Sequence, residues 1–226
     1  ELFAGIGSQT QALKNIGIEH ELVAIAEIDS FAIQSHKLIH GDTLNLGDIT
    51  KIKEMPACDL ITYSFPCQDI SVAGQQKGLD MGSGTRSSLL WECARLIEMS
   101  MPKYLLMENV KNLVGKTHKN NFDKWLKYLE NLGYKSYWKV LNAKDFGIPQ
   151  NRERVFVVSI LGEHKPFIFP DPIKLETSIK DFLEEDGIPS NMFMNDRPFI
   201  PRTPSKGESG LIHVGNLDMK AKESIK

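Results

Sequence analysis

Before residue 161, short β-branched apolar runs alternate with stretches of helical hydrophobic periodicity, the pattern of an α/β fold on a parallel sheet. Residues 1–3 read as the tail of a first strand, and Ala4-Gly5-Ile6-Gly7 as a turn. Ser8 is placed to cap a helix over 8–16, closed by Gly17. Residues 22–26 predict a second strand ending at Glu27 and Asp29. Residues 59–64 predict another, and 104–107 a further one ending at Glu108-Asn109. Between these two, a helix over 88–99 turns Leu89, Leu90, Cys93 and Ile97 inward. Phe122, Trp125, Leu126, Leu129 and Leu132 keep the i, i+3, i+4, i+7 spacing of a packed helix that Gly133 stops. The unbroken apolar run 155–161 suits a strand covered on both faces. From Lys165 onward prolines recur, and only 177–185 keeps any helical period. The pattern therefore predicts one main domain over 1–170, helices on both faces of its sheet. After it, 171–226 reads as a linker and the unfinished start of a small second domain.

Composition narrows the class. The chain has 226 residues, 41% hydrophobic and 25% charged, with a net charge of −2, which excludes disorder, collagen and coiled coil. No apolar run reaches the ~20 residues of a membrane-spanning helix, and no basic-then-apolar leader is visible. The opening on Glu1 without Met reads as the loss of a few leading residues. Cys58, Cys67 and Cys93 form no C-x-x-C spacing, which argues against a disulfide framework or zinc site and for a reducing cytoplasm. Near-neutral charge excludes a wholly basic nucleic-acid coat and leaves room for a local basic face.

The candidate chemistry gathers where strands end. Phe3-Ala4-Gly5-Ile6-Gly7 is a turn whose glycines let backbone approach a ligand, though Thr10 stands where a dinucleotide binder has its third glycine. Glu27 follows at roughly the 20-residue distance at which such folds hold ribose hydroxyls. Asp48-Ile49 suits either a contact to an adenine amino group or, on spacing alone, an ordinary turn or helix cap. In Ser64-Phe65-Pro66-Cys67-Gln68-Asp69, a cysteine after a stiffening proline projects from the carboxyl edge of the sheet, where open α/β folds bind substrates. Gly74, Gly78, Gly82 and Gly84 make the following stretch a loop. Cys58 and Cys93 fit the commoner fate of a lone cysteine, burial as an inert thiol. Glu108 should rise beside Cys67, desolvated by Met107 and Val110 so that it holds or donates a proton. Strand alternation puts Arg152 and Arg154 on one face, ready for phosphate or a carbonyl oxygen. Taken singly, Glu108 and the two arginines would read as solvated surface charges.

Taken together, Phe3-x-Gly5-x-Gly7, Glu27, Asp48-Ile49, Pro66-Cys67-Gln68, Glu108-Asn109-Val110 and Gln150-x-Arg152-x-Arg154 resemble the C5-cytosine DNA methyltransferase family of bacteria and phages. The resemblance covers roughly the first two thirds of the chain. It implies a Rossmann-like S-adenosylmethionine-dependent fold with S-adenosylhomocysteine as product, and double-stranded DNA as partner. By the same resemblance Cys67 attacks C6 of a flipped cytosine, Glu108 engages N3 and the 4-amino group, Arg154 binds O2 and Arg152 lies near phosphate. Phe3, Ala4, Gly5, Ile6, Gly7, Glu27, Ile28, Asp48, Ile49, Pro66 and Leu89 line the cofactor site. Ser71 and Gln76 belong to the loop that closes over DNA, and Gln68 and Arg152 contact it as well.

The family usually has Asp where this chain has Glu1. Its closing motifs are not recognisable; Ile212-His213-Val214-Gly215-Asn216 resembles the start of a target-recognition domain. A complementary chain or a further C-terminal region is therefore expected to supply recognition. Two rival readings remain. An RNA cytosine-5 methyltransferase could use the same Cys67 and Glu108. A non-catalytic nucleotide-binding module has no need of Cys67, Glu108 and both arginines together.

Overall fold

The computed structural model describes residues 1–66, 89–183, 199–206 and 212–217. The chain forms two compact units. Glu1–Leu141 with Glu153–Pro170 make the larger, and Asn142–Arg152 with Asp171–Lys226 the smaller. In chain order, helices α1 (Ser8–Asn15) and α2 (Ser30–His40) precede strand β1 (Leu60–Tyr63) and helix α3 (Leu90–Ser100). Strand β2 (Tyr104–Val110), helix α4 (Lys119–Asn131) and strands β3 (Tyr134–Asn142) and β4 (Glu153–Leu161) follow.

The strands lie in the order β1-β2-β4-β3. β1 runs parallel to β2 with Tyr63 opposite Met107, whereas β4 runs antiparallel to β2 with Val110 opposite Arg154. The sheet is therefore mixed, not wholly parallel as the apolar pattern predicts. An unbroken apolar run reports burial on both faces and carries no information about strand direction. Beyond β1, isolated parallel bridges join Leu2 to both Tyr63 and Ala26, and Ile25 to Asn45. Of the strand predicted over 22–26, only these bridges form.

The core is built as the periodicity predicts in α3 and α4. Leu90, Cys93, Leu96 and Ile97 of α3 and Phe122, Trp125 and Leu129 of α4 are buried with Tyr63, Leu105, Met107, Val155 and Val157 of the sheet. Trp125 meets the rings of Tyr63 and Trp91 edge-on at 6.1 and 6.0 Å and stacks on Tyr128 at 5.6 Å.

Three elements depart from the sequence reading. Ser8 does not cap α1: the cap position is Gly7 at φ 81°, and Ser8 is the first helical residue. The cap comes from far back, because the Glu1 carboxylate accepts from the backbone N–H and hydroxyl of Thr10 at 2.6 and 2.7 Å. Helix α2 is not visible as a periodic pattern, since Phe31 and Leu38 stand 77% and 88% exposed. Asp29 nevertheless starts it by accepting from the N–H groups of Phe31 and Ala32. Strand β3 also escapes the apolar pattern: it ends the strand order, and Lys135 and Lys139 interrupt it.

In the smaller unit, β5 (Phe199–Lys206) and β6 (Ile212–Leu217) pair antiparallel, with a register shift between Pro201 and Ser205. Prolines in β5 hide this hairpin from a pattern reading. In the described part of the stretch 177–185, which ends at Leu183, the helical period forms a 3-10 turn, Ile179–Phe182.

Candidate active site

Register decides which residues share an edge. Leu2 pairs with Tyr63 and Ala26, and Tyr63 pairs with Met107, all in parallel. The residues that follow Leu2, Ala26 and Tyr63 (Phe3, Glu27 and Ser64) therefore leave their strands at one carboxyl edge, level with Glu108 in the longer β2. Because β4 is antiparallel, its beginning reaches that same edge, bringing Arg154 beside Val110. A parallel β4 would have carried Arg154 to the opposite edge.

The glycine turn is sharply bent. Phe3, Gly5 and Gly7 have φ of 58°, 57° and 81°, and the Gly7 N–H closes the turn on the Ala4 carbonyl at 2.9 Å. Left-handed backbone is costly at a bulky residue such as Phe3, so the surroundings must hold it. The N–H groups of Phe3 and Ala4 both donate to the Ala26 carbonyl, at 2.8 and 3.3 Å. The Gly5 N–H donates to Oε2 of Glu27 at 2.8 Å. Oε1 of Glu27 accepts from the N–H groups of Ile28 and Asp29 at 2.8 and 2.9 Å. Among the described residues a side chain on Gly5 would meet nothing within 4 Å, so this part of the turn is open to a ligand. Ile6 and Ile28 expose 53% and 74% of their surface.

Asp48 adopts the ordinary role that its spacing allows: it caps a 3-10 turn, Ile49–Lys51, accepting from the N–H and hydroxyl of Thr50 at 3.0 and 2.8 Å. Those bonds hold its carboxyl below the usual range. Oδ2 stands 3.6 Å from Lys51 Nζ. Ile49 is buried in the core.

Glu108 lies within β2, not past its end, and its surroundings are not the apolar shell that Met107 and Val110 predict. Its carboxylate accepts from Nε of Arg154 at 2.8 Å, and both side chains are about three-quarters buried (26% and 24% exposed). The two face each other diagonally across the antiparallel pair, since Glu108 sits opposite Phe156 and Val110 opposite Arg154. Next to this pair, the buried Asn109 donates from Nδ2 to the Phe65 carbonyl at 3.0 Å. That bond ties the end of β2 to the backbone that leads into Pro66.

Cys67, Gln68, Ser71 and Gln76 lie outside the described residues; Pro66 and Leu89 border that stretch. Cys93 is fully buried and Cys58 half-buried, and burial pushes both thiols up, away from the reactive thiolate. Arg152 belongs to the smaller unit, where its N–H donates to Asn142 Oδ1 at 3.0 Å and its carbonyl accepts from the Ala143 N–H. Strand β4 begins at Glu153, so the alternation that would put Arg152 on the same face as Arg154 does not reach it. Among the described residues no group of three His, Cys, Asp or Glu side chains could hold a metal.

Pattern reading missed the polar clamps behind these residues. Asn45 accepts from the Glu27 N–H at 3.2 Å and donates to the Glu27 carbonyl at 3.0 Å. Arg95 donates to the carbonyls of Ile52 and Ile49 at 2.7 and 2.9 Å, pinning the turn after Asp48 to α3. The one signal for Arg95 in the sequence is that it is the lone cation of α3, three residues from Glu92, whose Oε2 accepts from its Nε at 2.9 Å.

The sequence profile described as C-5 cytosine-specific DNA methylase matches residues 1–224. Type II methyltransferase M2.ScrFI of Lactococcus lactis subsp. cremoris is 46% identical across 82% of this chain and 67% of its own. Type II methyltransferase M.NlaX of Neisseria lactamica is 38% identical across 81% of this chain and 58% of its own. Among solved structures, a mutant of Spodoptera frugiperda DNMT2 superposes with a TM-score of 0.62 at 26% identity, covering 83% of this chain and 59% of that one. The chain thus spans from over half to two thirds of the length of these relatives. With the profile running over nearly its whole length, the chain belongs to the C-5 cytosine-specific DNA methylase family.

Proposed function

We propose that this chain carries the catalytic core of a DNA cytosine-5 methyltransferase, which transfers a methyl group from S-adenosylmethionine to C5 of a cytosine flipped out of duplex DNA. The observation that carries the reading is the Glu108–Arg154 pair at the sheet edge that also bears the glycine turn, Glu27 and the backbone leading to Pro66.

The residues present fit the cofactor. The open space over Gly5 admits a ligand against backbone, and the oriented Glu27 carboxylate suits ribose hydroxyls. Exposed Ile6 and Ile28 offer apolar surface to an adenine ring. Phe3, Ala4, Gly5, Ile6, Gly7, Glu27 and Ile28 would hold it, with Asp48, Ile49, Pro66 and Leu89 completing the wall. When bound, S-adenosylmethionine supplies an electrophilic methyl group with a neutral thioether as its leaving group.

The chain's own residues do the rest. Aromatic C5 is a poor nucleophile, and addition of the Cys67 thiolate at C6 makes it enamine-like. Glu108 in its protonated form donates to N3 while its other oxygen accepts from the 4-amino group, so it offsets the negative charge that thiolate addition puts on the ring. Arg154, already held by Glu108, donates to O2. Transfer of the C5 proton to a solvent base, with the C5–H electron pair reforming the C5–C6 double bond and expelling the Cys67 thiolate, then restores aromaticity. Gln68, Ser71, Gln76 and Arg152 contact the DNA. The enzyme works on DNA in the cytoplasm, in the setting of restriction–modification. No described helix is long and apolar enough to cross a membrane.

Labelled methyl groups should pass to duplex DNA and not to tRNA; transfer to tRNA alone would instead favour the RNA enzyme. Glu27→Ala should weaken S-adenosylmethionine binding by about 1–3 kcal/mol, the scale for a hydrogen-bonded charged group, while the protein stays folded. Calorimetry showing unchanged affinity in a folded variant would take Glu27 out of the site.

A further inference from the structure

Two histidines of α2, His36 and His40, have no part in the chemistry above, yet they pack against the glycine turn. Nε2 of His40 lies 3.0 Å from the Ile6 carbonyl oxygen, and Nδ1 lies 3.1 Å from Nζ of Lys14 on α1. A carbonyl only accepts and an ammonium only donates. Both contacts therefore require one and the same neutral tautomer, with the proton on Nε2 donated to Ile6 and Nδ1 accepting from Lys14. The ring is wedged in place: its centroid is 4.8 Å from that of His36, and a Cβ on Gly7 would come within 2.5 Å of His40 Nε2. His36 is itself buried, with Nε2 unpartnered among the described residues. Burial holds it below its ordinary pKa, so it backs His40 as a neutral ring.

The peptide between Ile6 and Gly7 is consequently held at both ends. Its N–H donates to the Ala4 carbonyl at 2.9 Å and its oxygen accepts from His40, while Glu27 grips the Gly5 N–H on the ligand side. Three residues of this turn have left-handed backbone, including Phe3, so the conformation persists only while such bonds outweigh its strain.

We propose that His40 is a positioning residue for cofactor binding, fixed as the Nε2–H tautomer by Lys14 and setting the Ile6–Gly7 peptide plane from behind the glycine turn. The proposal rests on the reading of that turn as the cofactor site.

Calorimetric titration of the intact enzyme with S-adenosylhomocysteine tests it. His40→Leu should weaken binding about three- to tenfold, the scale of one hydrogen bond. His40→Gln, whose amide can still donate to Ile6, should stay within about twofold of wild type. In methylation assays the His40→Leu loss should fall on the KM for S-adenosylmethionine and not on kcat. Nitrogen-15 imidazole shifts should show the Nε2–H tautomer in wild type, with Lys14→Met loosening that preference. Wild-type affinity in a folded His40→Leu, or a lowered melting temperature alone, overturns the proposal, as does an Nδ1–H tautomer. If Glu27→Ala loses affinity while His40→Leu does not, only the role of His40 falls. If wild type binds no S-adenosylhomocysteine, the functional reading falls and takes this proposal with it.

Discussion

Cys67→Ala should lower methyl transfer by at least about four orders of magnitude, because without the thiolate C5 has nothing to make it nucleophilic. The same substitution should abolish the covalent adduct on DNA that carries 5-fluorocytosine, since fluorine cannot leave C5 as a proton does. Cys93 and Cys58 supply the controls. Cys93 has no exposed surface, Cys58 is half-buried, and burial disfavours the thiolate of each. Cys58→Ala and Cys93→Ala should therefore trap the adduct as wild type does. An undiminished adduct in Cys67→Ala, read on a denaturing gel, sinks the covalent mechanism.

Glu108→Gln should reduce kcat by about 10²–10⁴-fold, the range for a positioned acid–base group. The amide keeps the shape of the carboxylate but loses the charge that pairs with Arg154 at 2.8 Å. Arg154 is left three-quarters buried beside a neutral partner, so its hold on O2 should loosen as well. Arg154→Ala should then cost less in the Glu108→Gln background than in wild type, because the two act as a unit. A double-mutant cycle on kcat measures this, and strict additivity would separate the two residues mechanistically.

The parts of the fold and of the candidate site that were legible in the chain rest on local chemistry. The glycines at 5 and 7 mark left-handed backbone, and the spacings of Phe122, Trp125 and Leu129 mark a helix face. What stayed hidden depends on partners distant in sequence. Asn45 reaches Glu27 across 18 residues, Asn109 reaches Phe65 across 44, and Arg95 reaches Ile49 across 46. No local pattern records such pairs. The antiparallel direction of β4 belongs to the same class, yet it is what brings Arg154 to Glu108. The capping of α1 by Glu1 shows the limit from the other side. Ser8 has the right chemistry for a cap, but Gly7 takes that position because the backbone there is left-handed.

The central claim, methylation of cytosine at C5 in DNA, is tested most directly by identifying the methylated nucleoside. Duplex DNA would be incubated with the enzyme and S-adenosylmethionine carrying a labelled methyl group, then digested to nucleosides and separated. The account predicts label in 5-methyldeoxycytidine alone. Label in N4-methyldeoxycytidine or N6-methyldeoxyadenosine would contradict it, since neither product arises from thiolate addition at C6.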